Sequence, residues 1–264
     1  MDLHSVLLSP KSLASALYYK QKLQVHNFSI YELNQGHVEL YVWHEADGGV
    51  TSNEFTSCLI DYISNRSTYH TIVLISDGCC YLNRNKVLAS NLSTTAKHLN
   101  ITIQQLYLEK GHTMMEVDSV HATLEKYFRP PINSPADYVA RMRLARPTQP
   151  YNVRVVDFSF FKRHEDRCSL TSLRPGKKSG DPTVMDIRQL KYTKDGLIFY
   201  TLDYSEDWII LPQRRKSSHN DSDVVAPLYS RPRPISKSKY DHLQELKAVI
   251  EKDHHAFYDS LTYV

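Results

Sequence analysis

The chain has 264 residues, 41% hydrophobic and 23% charged, which excludes a disordered polymer and allows one core with an appendage or two small domains. Its four cysteines, Cys58, Cys79, Cys80 and Cys168, show no CxxC spacing and no disulfide-rich pattern. No apolar run approaches the ~18 residues of a membrane span and no secretory leader pattern is present, so an intracellular, reduced protein without a membrane partner is expected.

Formal net charge is only +3, but it is uneven. Residues 1–128 carry 9 Lys+Arg against 12 Asp+Glu, and residues 129–178 carry 11 against 4. An acidic half followed by a basic stretch suits a metal-binding core beside a phosphate-attracting surface. Solvated charge on a variable surface explains it equally well.

Leu3 to Leu8 is a short apolar run ended by Pro10, a first strand. Val25 to Leu33 and His37 to His44 alternate in period two, and Glu45 to Gly49 reads as a turn. Thr51 and Glu54 make a capping box, after which Phe55, Leu59, Tyr62 and Ile63 fall at helical spacing. Thr71 to Ser76 is a fully apolar strand of the kind buried in a mixed sheet. Asn85 to Leu99 reads as a helix and Ile101 to Leu108 as a strand. Thr113 and Glu116 form a second capping box, opening a helix that Pro130-Pro131 must end.

The resulting order, β-β-β-α-β-α-β-α, is that of the ribonuclease H-like fold, an α/β architecture with a mixed sheet flanked by helices. That fold places one acid in the first strand, one at the end of the fourth and one on the last helix. Asp2, Asp77 and Asp118 occupy those places. Three regions are expected: a core over 1–131, a basic linker with a short helix over 132–150, and a mostly β extension over 151–264. The last contains strands at Tyr151–Phe158, Val184–Lys191, Leu197–Tyr204 and Trp208–Leu211, a polar loop over 213–223, and a closing helix capped by Ser236.

Asp77 stands where an apolar strand stops, and Gly78 lets the backbone turn away beneath its carboxylate. A strand-terminal Asp that merely starts a turn has the same appearance. On the last helix Glu116 is used up as the reciprocal cap, which leaves Asp118, with His121, Ala122 and Glu125 on the same face. Carboxylates that bridge two hard cations stabilise both the attacking and the leaving oxygen of a phosphodiester reaction. Mg²⁺ or Mn²⁺ would therefore sit on Asp2, Asp77 and Asp118, with Glu125 in reserve. Asn83, Arg84, His112, His121, Arg141 and Arg143 supply donors suited to phosphate, Asn83 and Arg84 just ahead of a helix N-terminus. A zinc set from Cys79, Cys80, His112 and His121 is disfavoured, because adjacent cysteines on an extended chain point to opposite faces.

Several segments recur together in one family. They are Tyr18-Tyr19-Lys20, His26-Asn27-Phe28, Trp43-His44-Glu45, Ser76-Asp77 with Asn83-Arg84-Asn85, Glu109-Lys110-Gly111-His112-Thr113 with Glu116, Asp118-Ser119 and His121, and the tail from Ile235-Ser236-Lys237 to Phe257-Tyr258. Across nearly the whole chain they resemble the DUF7869 family of transposon-derived animal proteins. The resemblance implies a DDE-type transposase or integrase core that cleaves or transfers strands of DNA, in the nucleus. RNA stays open as a substrate, and so does a homo-oligomer or a protein partner.

The chain has Leu82 where the family commonly has Gln, and members usually extend well before the first strand. Here Asp2 is the second residue, so a frayed strand that holds it poorly is expected, as in a fragment or a domesticated remnant. On those grounds the alternative is a non-catalytic module that binds nucleic acid or a protein on the same scaffold.

Overall fold

The computed structural model describes residues 1–13, 19–66, 68–79, 82–109, 111, 114–212, 214–215 and 224–264. His112, Thr113, Cys80 and most of the 213–223 loop lie outside the described residues, so the readings placed on them do too.

In chain order, β1 (Asp2–Leu3), β2 (Leu7–Ser9), β3 (Leu23–Tyr31) and β4 (Val38–His44) come first. They are followed by α1 (Ser52–Ser64), β5 (Thr71–Ser76), α2 (Lys86–Leu99), β6 (Thr102–Tyr107), α3 (Glu116–Tyr127) and α4 (Pro135–Leu144). Then come β7 (Asn152–Val155), β8 (Leu170–Ser172), β9 (Gln189–Tyr192), β10 (Ile198–Thr201), β11 (Ile209–Ile210) and β12 (Arg214–Arg215). The helices α5 (Lys237–Leu246) and α6 (His255–Asp259) close the chain. The protein is thus mixed α/β, with two five-stranded mixed sheets.

Two compact units divide these elements. Unit 1 is Met1–Gly49, Met114–Phe160 and Tyr229–Val264; unit 2 is Val50–Thr113 and Phe161–Leu228. Both boundaries expected from sequence, at 131 and 150, fall inside unit 1. Strands late in the chain complete sheets begun by early ones, which composition along the chain does not reveal.

In unit 1, β1 and β2 both pair antiparallel with β3, β3 pairs antiparallel with β4, and β7 joins β4 in parallel. Asp2 sits opposite Ser29, and the neighbouring Met1 is buried. The strand that carries Asp2 is therefore held, not frayed as expected. On one side Val25, Val38, Leu40, Val42 and Val153 pack with Val120, Leu124 and Phe128 of the α3 segment and with Tyr138 and Met142 of α4. Leu23 and Ala46 form a second cluster with Leu243, Leu246, Ile250 and Tyr258. The helix carrying Leu243 and Leu246 is α5, where Ser236 accepts from the Lys239 amide as a cap residue should.

In unit 2 the sheet runs β11-β10-β9-β6-β5, with β5 and β6 parallel and the other pairs antiparallel. The capping box opens α1 as read from sequence: the Thr51 amide donates to Glu54 Oε2 at 3.0 Å, and Thr51 Oγ1 accepts from the Asn53 amide. α2 begins at Asn85, whose Oδ1 accepts from the Leu88 amide at 2.9 Å. The strand expected from Val184 starts only at Gln189. The Thr183 amide donates to Asp186 Oδ2 at 2.7 Å, and Thr183 Oγ1 accepts from the Met185 amide, so Val184–Asp186 close into a 3-10 turn instead. Sequence periodicity also missed β8, whose three residues are too few to show alternation.

Candidate metal centre

Side chains on a strand alternate between faces, and residues directly opposite each other across an antiparallel pair share a face. Asp2 lies opposite Ser29 and Leu3 opposite Phe28; the His4 amide then donates to the Asn27 carbonyl at 2.9 Å. Asp2, His4, Asn27 and Ser29 are thereby placed together. α3 packs against β3, and it carries Asp118, His121 and Glu125 at i, i+3 and i+7.

One ligand atom from each of Asp2, Asp118 and His121 lies within 4.8 Å of the other two. His121 Nε2 is 3.0 Å from Ser29 Oγ, and its Nδ1 is 4.0 Å from Asp2 Oδ2. The His4 ring stacks on the His121 ring, with centroids 4.3 Å apart and planes at 13°. Behind the stack, His4 Nε2 approaches Glu125 Oε1 at 3.5 Å, longer than a good hydrogen bond.

Burial pushes the His121 imidazolium down to about 4, helped by the neighbouring His4 and opposed by Asp118. Burial lowers His4 as well, against the pull of Glu125. Both rings are therefore neutral at pH 7, and a neutral imidazole is the form that binds metal.

His4 is 4% exposed and Asn27 is fully buried, yet among the described residues neither His4 ring nitrogen and neither Asn27 amide atom has a hydrogen-bond partner. Buried polar atoms left this way call for an explanation, such as an ordered water or an ion. Sequence reading missed His4, Asn27 and Ser29. The only signal was that Asn27 and Ser29 occupy inward positions in the alternation of β3, between Val25 and Tyr31.

The start of α3 corrects one expectation. The helix begins at Glu116 with Met115 as N-cap, two residues later than the Thr113 box required. The reciprocal acid is consequently Asp118, whose Oδ2 accepts from the Met115 amide at 2.6 Å, while Glu116 is exposed. Capping uses one carboxylate oxygen and leaves the other available as a ligand.

Asp77 belongs to unit 2, at the end of β5. Its Oδ1 accepts from Asn83 Nδ2 at 2.9 Å and from the Cys79 amide at 3.3 Å, so it also organises its own turn. The Asn83 carbonyl in turn accepts from Gln105 Nε2 at 3.2 Å and from the Tyr107 hydroxyl at 3.1 Å. Arg84 is buried, lies 4.4 Å over the Tyr107 ring and donates from Nη1 to the Met185 carbonyl at 2.8 Å. A Cβ on Gly78 would come within 2.7 Å of Arg84 Nη2, so glycine lets the loop close on the guanidinium. Asn83 and Arg84, expected to meet phosphate, are thus engaged in supporting the Asp77 loop.

Arg141, also expected to meet phosphate, donates to the carbonyls of Tyr127, Arg129 and Pro131 and so satisfies the C-terminal end of α3. Arg143 is exposed on α4. Of the zinc set, Cys79 and His121 belong to unit 2 and unit 1 respectively. Comparison with protein-family models, curated proteins and solved structures finds no match for this chain.

Proposed function

We propose that this protein binds divalent metal at Asp2, Asp118 and His121 and uses it for phosphodiester chemistry on nucleic acid. The observation that carries this reading is the convergence of two carboxylates and a neutral imidazole within 4.8 Å on a strand and a helix of one unit. A divalent cation there would polarise a phosphoryl oxygen and lower the pKa of a bound water. Asp118, tied to the first turn of α3, and Asp2, held by the pairing of β1 with β3, would provide the oxygen ligands.

The finer form of the proposal is a ribonuclease H-like, DDE-type core of transposon origin acting on DNA in the nucleus, with RNA as the second substrate. What supports it is the element order read from the sequence and the sequence positions of Asp2, Asp77 and Asp118. In that form two Mg²⁺ or Mn²⁺ ions are used.

A non-catalytic module that binds nucleic acid or a protein is the second reading. Arg84 and Arg141, whose guanidinium groups are engaged within the protein, take away phosphate contacts that the catalytic reading counted on.

The test is Mn²⁺-dependent cleavage of end-labelled DNA by the purified chain, beside Asp2→Asn, Asp118→Asn and Asp77→Asn variants. Loss of cleavage by at least about a hundredfold in the first two is expected for residues that hold a catalytic ion. Cleavage that survives both removes the assignment. An inactive wild-type chain that still retards DNA in a gel favours the binding module.

A further inference from the structure

We infer that the Asp2–Asp118–His121 centre selects a nitrogen-accepting first-row transition cation, of the Mn²⁺ or Zn²⁺ class, over Mg²⁺, with His121 Nδ1 as a direct ligand. This rests on the metal-binding part of the function proposed above and goes beyond it in naming the ion class and its nitrogen donor.

Three features on the strand–helix face carry the inference. The first is the distance between His121 Nδ1 and Asp2 Oδ2, 4.0 Å. That is too long for a hydrogen bond, and it lies within the ~4.2 Å that two ligands bonded at about 2.1 Å to one ion can span, so a small inward movement brings both onto it. The second is the partner of the other ring nitrogen. Nε2 lies 3.0 Å from Ser29 Oγ, and donation from Nε2–H to that oxygen leaves the Nδ1 lone pair facing Asp2. A second hydrogen bond of this kind is the usual device that orients a metal-binding histidine.

The third feature is independent of the carboxylates. His4 is buried, stacked face to face on His121, and its ring nitrogens have no hydrogen-bond partner among the described residues. A buried imidazole stacked in that position serves here as a wall. It fixes the plane of the His121 ring.

Donor chemistry then selects the ion. Mg²⁺ demands near-octahedral oxygen coordination and gives up water reluctantly, whereas imidazole suits Zn²⁺ well and is accepted by Mn²⁺, whose coordination shell is larger and less rigid than that of Mg²⁺. Two carboxylates and one imidazole, with further positions left for water, form a mixed O/N set that favours Zn²⁺ and Mn²⁺. A Mg²⁺ site would gain nothing from an imidazole anchored through its far nitrogen by Ser29.

The experiment measures binding of Mn²⁺ to the full chain by electron paramagnetic resonance, with Mg²⁺ as competitor and pulsed detection of ¹⁴N coupling. Expected are one tightly bound Mn²⁺ that a hundredfold excess of Mg²⁺ does not displace, a ¹⁴N coupling, and at least about tenfold weaker Mn²⁺ binding with loss of the coupling in His121→Gln. Displacement by Mg²⁺ at comparable concentration, absence of the coupling, or unchanged affinity in a folded His121→Gln chain overturns the inference. If that variant fails to fold, the competition and the coupling in the wild-type chain decide alone. Mn²⁺ that binds without nitrogen coupling but still depends on Asp2 and Asp118 leaves the metal-site reading standing and removes only the ion class. Nitrogen-coupled Mn²⁺ on a chain that cleaves nothing keeps the site and its ion class and removes the phosphodiester chemistry, and a chain that binds no divalent ion ends both.

Discussion

His164 shows at the scale of one residue how burial decides chemistry. Its Nδ1 lies 3.2 Å from Asn91 Oδ1 and its Nε2 3.1 Å from Ser57 Oγ, all inside unit 2. Burial, with Arg167 and Lys162 adding to it, pushes the imidazolium down from 6.5 to about 4. The folded state therefore holds the neutral ring, and the unfolded chain takes up a proton first as pH falls. Stability from this group is fully present above about pH 6.5 and is lost progressively toward pH 4, to a limit of about 3 kcal/mol. Urea titrations at pH 7.5, 6 and 4.5 are expected to show that decline, and His164→Gln, which cannot titrate, is expected to flatten it. An identical pH slope in the variant would show that His164 is not a source of the decline. Nothing around residue 164 in the sequence marked the ring as buried, because its partners come from positions 57 and 91.

At the scale of elements, ends are where sequence and structure part. α2 closes on Asn100, which adopts φ 55° in the left-handed region while its amide donates back into the last turn. Only glycine, and to a lesser degree asparagine, takes that conformation cheaply. Asn100→Ala is expected to cost about 1 kcal/mol, and Asn100→Gly to be neutral or slightly stabilising; thermal melts of the two variants side by side check the order. Equal melting of both would mean that the residue's conformation does not limit the helix. The bodies of α1, α2, α5, β3 and β4 were legible because each is long enough to repeat its period against a core. The start of α3 was not, because Thr113 and Glu116 show capping-box spacing, whereas the observed N-cap, Met115, is a residue type that no capping preference marks.

At the scale of the whole molecule, each unit is assembled from segments far apart in the chain. The segment after Tyr229 supplies α5 and α6 to unit 1, where they cover Leu23 and Ala46. Those two residues are buried by that cover and lie at the beginning of β3 and just after β4. A chain ended after Leu228 is expected to expose this cluster, to lose hydrogen-exchange protection across Leu23–Tyr31 by at least about a hundredfold, and to aggregate. Protection of β3 unchanged by the truncation would show that the closing helices are an accessory. The sequential three-region division could not foresee this arrangement, since pairing β7 with β4 and β9 with β6 depends on contacts across more than eighty residues.

Local patterns alone were enough to read an α/β chain and the main helices and strands of its first half, on whose order Asp2, Asp77 and Asp118 were selected as candidate acids. They are written in periodicity, caps and strand ends, which act over a few residues. Which side chains meet is a different kind of fact. His121 joins Asp2 and Asp118 because β1 pairs with β3 in a register that sets Asp2 opposite Ser29, and because α3 lies over that face. A strand slipped by one residue would turn Asp2 away, and no short-range preference sets that register. The candidate metal centre is therefore a product of long-range packing, and His4, silent in the sequence, joins it only through the fold.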